Sequence, residues 1–343
     1  MLRAMHRCLA VSACLLTVAA AAGEASLREM AAKRKFLVGA AVAIGPLVNE
    51  TEYQDTLKRE FNICVPENAF KMAGLRPARD KFDFSQADKL AEFAAANNIK
   101  LRGHTLVWHQ SVPKWLSDGK FSRDEALQIM KEHITTVLQH FKGKVYAWDV
   151  VNEAIHDKKP YAIRDDSFWG KTIGADYVEK AFEFARAADP NIILYYNEYG
   201  AEGMGGKSDA VYELVKKLRE KKLVDGVGWQ CHVPCGWKPG DAHAQNAERL
   251  GKLGVELAIT ELDFAIKQPT TPEKLQAQAD SYRDTLKFCL SQPAFKALLT
   301  WGFTDKHSWI PGFSKGKNGD ALVFDAQYKP KPAYGAMIEA LKQ

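Results

Sequence analysis

The 343-residue sequence has only 6 cysteines, and two of them, Cys8 and Cys14, fall in its first 22 residues. The remaining Cys64, Cys231, Cys235 and Cys289 are too few for a disulfide-built scaffold, and a chain of this length folds without one. Four cysteines allow three pairings; Cys231 and Cys235 are close enough in sequence to pair, and isolated buried thiols are the alternative. Basic clusters are also missing. The net charge of +5 falls to +3 when Arg3 and Arg7 leave with an N-terminal leader that carries no acid, and Lys and Arg are scattered. That argues against a nucleic-acid surface. No G-x-G-x-x-G follows the first strand-like segment, which disfavours an open nucleotide-binding sheet. Repeats, low-complexity linkers and an internal domain boundary are absent too. With 46% hydrophobic and 26% charged residues, the composition excludes a disordered chain.

One long apolar run is present, and it is at the start. Arg3 and Arg7 make a basic opening, 8–22 is almost wholly apolar, and Ala20-Ala21-Ala22 offers a small-residue cleavage site. Residues 1–22 are therefore expected to be a signal peptide, and 23–343 a single secreted domain, extracellular or periplasmic. The run falls short of the roughly 20 apolar residues a membrane span needs, so no membrane association is expected of the mature form. Val11-Ser12-Ala13-Cys14 resembles a lipoprotein cleavage box, but most of the apolar stretch lies on its wrong side, which makes lipid anchoring the lesser alternative. A monomer without cofactor or metal is expected.

Beyond the leader, strand-like and helix-like segments alternate. Apolar, β-branched or aromatic runs occupy 36–42, 61–65, 99–108, 145–152, 192–198, 227–233, 255–263 and 297–303. Between them lie helical patterns such as 85–98 and 175–188, and 334–342 follows Pro330 and Pro332. Ser122 with Glu125 reads as a capping box, and Thr271-Pro272 as a helix start. Eight strands alternating with helices predict an α/β fold, a single (β/α)8 TIM barrel.

Function in such barrels collects at the carboxyl ends of the strands, and these ends are unusually polar. In chain order from the second strand they offer Glu67, Asn68 and Lys71; His104, Trp108, His109 and Gln110; Asp149, Asn152 and Glu153. Then come Asn197 and Glu198; Gln230 and His232; Glu261 and Asp263; Trp301, Asp305, His307 and Trp309. A lone carboxylate at a strand end is usually a cap or an ion-pair partner, but a whole polar rim with tryptophans fits a hydroxyl-rich ligand with apolar ring faces, such as a sugar.

Cleavage of a glycosidic bond needs one acid on the departing oxygen and one carboxylate across the ring. Strands four and seven lie across the barrel from each other, so Glu153 and Glu261 would face one another. A retaining enzyme sets them about 5–5.5 Å apart and an inverting one about 6.5–9.5 Å. Alternation puts Gln230 and His232 on one side of the sixth strand, and Glu261 and Asp263 on one side of the seventh. His232 would then touch Glu261 while Asp263 orients the ring, which favours an ionised nucleophile. Glu153 should hold its proton while Glu261 is charged and release it once Glu261 is esterified, serving first as acid and then as base. A metal hydrolase using His104, His109 and His232 is disfavoured, because His104 and His109 have opposite parity on one extended segment.

The chain closely resembles glycoside hydrolase family 10, the endo-β-1,4-xylanases, over about 36–334. The motifs are Pro66-Glu67-Asn68 through Lys71, Arg102-Gly103-His104-Thr105-Leu106-Val107-Trp108-His109, and Trp148-Asp149-Val150-Val151-Asn152-Glu153-Ala154. They continue with Gln230-Cys231-His232, Ile259-Thr260-Glu261-Leu262-Asp263 and Trp301-Gly302-Phe303-Thr304-Asp305-Lys306-His307-Ser308-Trp309. The resemblance implies a retaining hydrolase of xylan and xylo-oligosaccharides, with Glu153 as acid/base and Glu261 as nucleophile. It implies that Asn152 binds the sugar 2-hydroxyl and that His232 partners Glu261. Glu67, Asn68, Lys71, His104 and Gln230 would grip sugars on the non-reducing side, walled by Trp108, Trp301 and Trp309. Trp309 would crowd a C6 hydroxymethyl and so favour xylose. His307 and the segments 44–49 and 161–166 depart from the family pattern. The rivals are another retaining β-glycanase of the same clan, such as a cellulase, and an inactive sugar-binding barrel.

Overall fold

A computed structural model describes residues 25–343, so the expected leader lies outside the described residues. The strands are β1 (Leu37–Val42), β2 (Ile63–Pro66), β3 (Lys100–Trp108), β4 (Ala147–Asn152) and β5 (Ile193–Glu198). They continue with β6 (Gly226–Trp229), β7 (His232–Pro234), β8 (Glu256–Lys267), β9 (Phe295–Thr300) and β10 (Asn318–Gly319). β1 to β6, β8 and β9 pair in parallel, each with the next, and β9 returns to β1. The result is a closed eight-stranded barrel. β7 and β10 pair with the extended far end of β8.

The barrel strands are runs of Val, Ile, Leu, Ala and aromatics, buried over nearly their whole length because helices cover them outside and side chains fill them inside. The helices start where the sequence marks them. Ser122 accepts from the amide of Glu125 and the Glu125 carboxylate from that of Ser122, opening the helix Arg123–His140; Thr271 caps Pro272–Ser291. The other expected helices run over Ser85–Ala96, Tyr177–Ala188 and Pro332–Lys342.

Two features differ from the reading of the sequence, and a third decides between the two readings of the cysteines. The sixth strand is broken, because Cys231 takes a left-handed conformation (φ 61°) between β6 and β7. The segment after β1 is a short helix, Ile44–Asn49. All four cysteines in the described residues are free. Cys231 and Cys235 do not pair, since the three extended residues of β7, rising about 3.3 Å each, hold them further apart than the roughly 7 Å a disulfide can span. Among the described residues, no helix is long and apolar enough to cross a membrane.

Candidate active site

The carboxyl ends of the barrel strands open onto a cleft of about 650 Å³. Lys71, His104, Trp108, Asn152, Glu153, Gln230, His232, Glu261, Trp301 and Trp309 line it. Asp263 is buried behind it, and Glu67 and Asn68 line an adjoining cavity of about 400 Å³.

Glu261 is nearly fully buried on β8. One carboxylate oxygen lies 3.1 Å from His232 Nε2, and the other accepts from the Asn197 amide at 2.7 Å. His232 Nδ1 lies 2.9 Å from Asp263 Oδ2, which also accepts from Trp309 Nε1 at 2.9 Å. Burial works against a charge on His232, but the Asp263 and Glu261 carboxylates outweigh it and push the ring up to about 10. The ring is therefore protonated at neutral pH and donates to both carboxylates. Burial also favours the neutral form of Glu261, yet the His232 hydrogen bond, the nearby His104 and His232 and the Asn197 amide hold it below the ordinary carboxylate range.

Glu153 directly follows β4 with a left-handed backbone, φ 57°. Its Oε2 accepts from Trp108 Nε1 at 2.8 Å, and its Oε1 from Gln230 Nε2 at 2.9 Å and Asn152 Nδ2 at 3.2 Å. Gln230, expected to grip sugar, is thus turned onto Glu153 and Asn152, while His232 turns to Glu261. The break at Cys231 separates their directions. Asn152 Oδ1 accepts from both Gln230 and Asn197, so amides join the two carboxylates in the order Glu153, Gln230, Asn152, Asn197, Glu261.

Asn197 stands out in the sequence only as a polar strand end, with nothing to signal a contact with Glu261. Its place depends on Gly228 of the neighbouring strand, where a β-carbon would lie 2.1 Å from the Asn197 side-chain oxygen. Asp149 and Arg102 are a second pair that sequence reasoning left without a role. They form a buried ion pair inside the barrel, and Asp149 also bonds His104 Nδ1 at 3.0 Å, fixing the ring at the cleft floor. The Lys71 ammonium sits 4.9 Å from the centre of the Trp108 ring and 5.7 Å from that of Trp301. Burial lowers its proton affinity, and Glu261, Glu67 and Glu153 oppose that.

His104, His109 and His232 each face a different carboxylate, Asp149, Glu153 and Glu261 respectively, and do not converge as metal ligands would. The group with ligand spacing among the described residues is His156, Asp165 and Asp166, on the loop beyond Glu153. His307, a departure from the family pattern, is held from beside another, the segment 44–49. Glu50, just past the helix 44–49, bonds Lys306, His307 and Tyr328, and these bonds, Lys306 foremost, hold its carboxyl down to about 2.

Residues 26–340 match the sequence pattern of glycosyl hydrolase family 10. The chain belongs to glycosyl hydrolase family 10. Endo-1,4-beta-xylanase B of Thermotoga neapolitana is 41% identical over 321 residues, spanning 92% of each chain. Among solved structures, xylanase 10B of Thermotoga maritima superposes with a TM-score of 0.89 at 44% identity, covering 92% of this chain and 98% of its own. Xylanase 10B of Thermotoga petrophila RKU-1, solved with xylobiose, gives the same score and identity over 92% of this chain and 97% of its own. In this member of family 10, the two carboxylates singled out in the sequence, Glu153 and Glu261, line one cleft.

Proposed function

We propose that the protein is a secreted endo-1,4-β-xylanase that cleaves internal xylosidic bonds with retention of configuration. The observation that carries this reading is the pairing of two buried carboxylates across one cleft in unlike surroundings. Glu261 is held ionised by a protonated histidine, and Glu153 sits among neutral N–H donors. The former suits a nucleophile and the latter a group that exchanges protons.

In the first step a Glu261 oxygen attacks the anomeric carbon. The glycosidic C–O bond breaks, and the Glu153 proton goes to the departing oxygen, leaving a glycosyl ester. In the second step water attacks the same carbon, Glu153 takes the water proton, and the ester bond breaks to restore the Glu261 carboxylate. Two displacements return the original anomer. Asn197 and His232 hold Glu261 for attack, and Trp108, Gln230 and Asn152 hold Glu153 beside the leaving oxygen. Lys71, His104, Glu67 and Asn68 serve the non-reducing side, and Trp301 and Trp309 supply flat walls for the sugar faces. The three Thermotoga relatives are named xylanases, and one was solved with xylobiose, which supports a xylan chain as substrate. The apolar stretch 8–22 supports export with cleavage after residue 22.

The test is reducing-sugar release from xylan and from carboxymethyl cellulose, side by side, for wild type and Glu261→Ala. Xylan cleavage that vanishes in the variant is expected. A preference for cellulose would overturn the substrate, and no activity on either would overturn the enzyme reading.

A further inference from the structure

The left-handed backbone of Glu153 is a costly place for a side chain that must deliver a proton accurately. Non-glycine residues in that region are strained and persist where their surroundings over-determine them. Here the surroundings come largely from β5. The amide of Glu153 donates to the Asn197 carbonyl at 3.0 Å, that of Ala154 to the Tyr196 hydroxyl at 3.1 Å, and that of Ile155 to Glu198 Oε2 at 3.2 Å. The carbonyl of Glu153 accepts from Arg164 Nε at 3.0 Å.

Glu198 is the centre of this cradle and has no part in the two-carboxylate mechanism. It is 1% exposed. One oxygen takes the Ile155 amide and the Tyr196 hydroxyl (2.7 Å); the other takes the Tyr199 amide and pairs with Lys207 Nζ at 3.1 Å. Lys207 continues to Asp157 at 2.9 Å, and Asp157 to Arg164 at 3.0 Å, which closes the path back to the Glu153 carbonyl. Two carboxylates and two cations thus form a balanced cluster under the loop that follows Glu153. The charged or titratable groups acting on Glu198 are Lys207, Tyr196, Tyr177, Arg164 and Glu153. Burial foremost, aided by the charge of Glu153, raises its carboxyl to about 7 against the pull of Lys207 and Tyr196.

We propose that Glu198, paired with Lys207, is a positioning residue for proton delivery: its carboxylate fixes the backbone from which Glu153 reaches the leaving oxygen. The proposal rests on Glu153 being the acid/base. It applies to glycosylation of the enzyme with poor leaving groups, where a misplaced proton donor slows bond breaking; a good leaving group departs without the proton.

The experiment compares kcat/KM for phenyl and 2,4-dinitrophenyl β-xylobiosides in wild type, Glu198→Gln and Lys207→Gln, with Glu153→Ala alongside. Glu198→Gln should lose about tenfold or more on the phenyl glycoside and less than about threefold on the dinitrophenyl one. Lys207→Gln should show the same selectivity, and it decides the matter if Glu198→Gln does not fold. Equal losses on both substrates indicate a merely structural role and overturn the proposal, as does undiminished cleavage of the phenyl glycoside. If Glu153→Ala also lacks leaving-group selectivity, the acid/base reading falls. If Glu153→Ala is selective and the Glu198 and Lys207 variants are not, only the present proposal falls.

Discussion

Replacing Asp263 with Asn removes one charge from behind Glu261 while keeping the shape of the side chain. Asp263 is buried, and its Oδ2 serves both His232 and Trp309. Moving His232 from 6.5 to about 10 corresponds to about 5 kcal/mol favouring the protonated ring, at roughly 1.4 kcal/mol per tenfold change. Asp263 is the larger of the two attractions, so losing its charge should destabilise the fold by roughly 3 kcal/mol, in the range for breaking a buried pair. The folded value lies above the unfolded one. The contribution of His232 is therefore complete below about pH 6.5 and is lost as pH rises through about 10. Glu261 has the opposite sign: its carboxyl is depressed from 4.5, so its contribution is complete above that value and is lost as pH falls through the folded one. Denaturant unfolding of wild type and Asp263→Asn at pH 6, 8 and 10 checks the first limb. The stability gap should be widest at pH 6 and shrink by pH 10. A gap under about 1 kcal/mol at pH 6, or one that stays constant to pH 10, would refute the reasoning.

Two further outcomes follow from the cleft. Asn197→Ala takes from Glu261 its 2.7 Å amide donor and breaks the chain of amides to Glu153; kcat on xylan should fall about 100-fold, the scale of one lost oxyanion donor, with a smaller change in KM. A loss under fivefold would contradict the role given to Asn197. Trp309→Ala opens the wall beside Asp263; the preference for aryl xylobioside over aryl cellobioside, measured as a ratio of kcat/KM, should drop about tenfold, as expected for one crowded hydroxymethyl. An unchanged ratio would remove Trp309 from the specificity argument.

Much of the architecture was legible because barrel strands are short apolar runs and the helices between them carry their own start signals, as at Ser122 and Thr271. The contacts of His232 with Glu261 and Asp263 also followed from strand alternation, although the route differs. His232 belongs to a separate short strand beyond a left-handed Cys231, which an apolar run from 227 to 233 does not reveal. The same break turned Gln230 to Glu153. Asn197 was hidden for another reason: its contact with Glu261 crosses β6 and depends on the missing side chain of Gly228, a relation between strands that neither sequence shows alone. The Arg102–Asp149 pair and the Glu198 cradle were unread because buried charges carry no local periodicity, and Asp149 and the Ile155 amide lie tens of residues from Arg102 and Glu198 respectively.

The account turns on Glu261 forming a covalent bond to the sugar. Incubating the protein with 2,4-dinitrophenyl 2-deoxy-2-fluoro-β-xylobioside, whose fluorine slows both displacements and whose leaving group speeds the first, should trap that ester. Mass spectrometry should then show one fluoroxylobiosyl unit added per chain, carried on the peptide containing Glu261. An unmodified protein that still hydrolyses xylan, or a label on any other residue, would contradict the account.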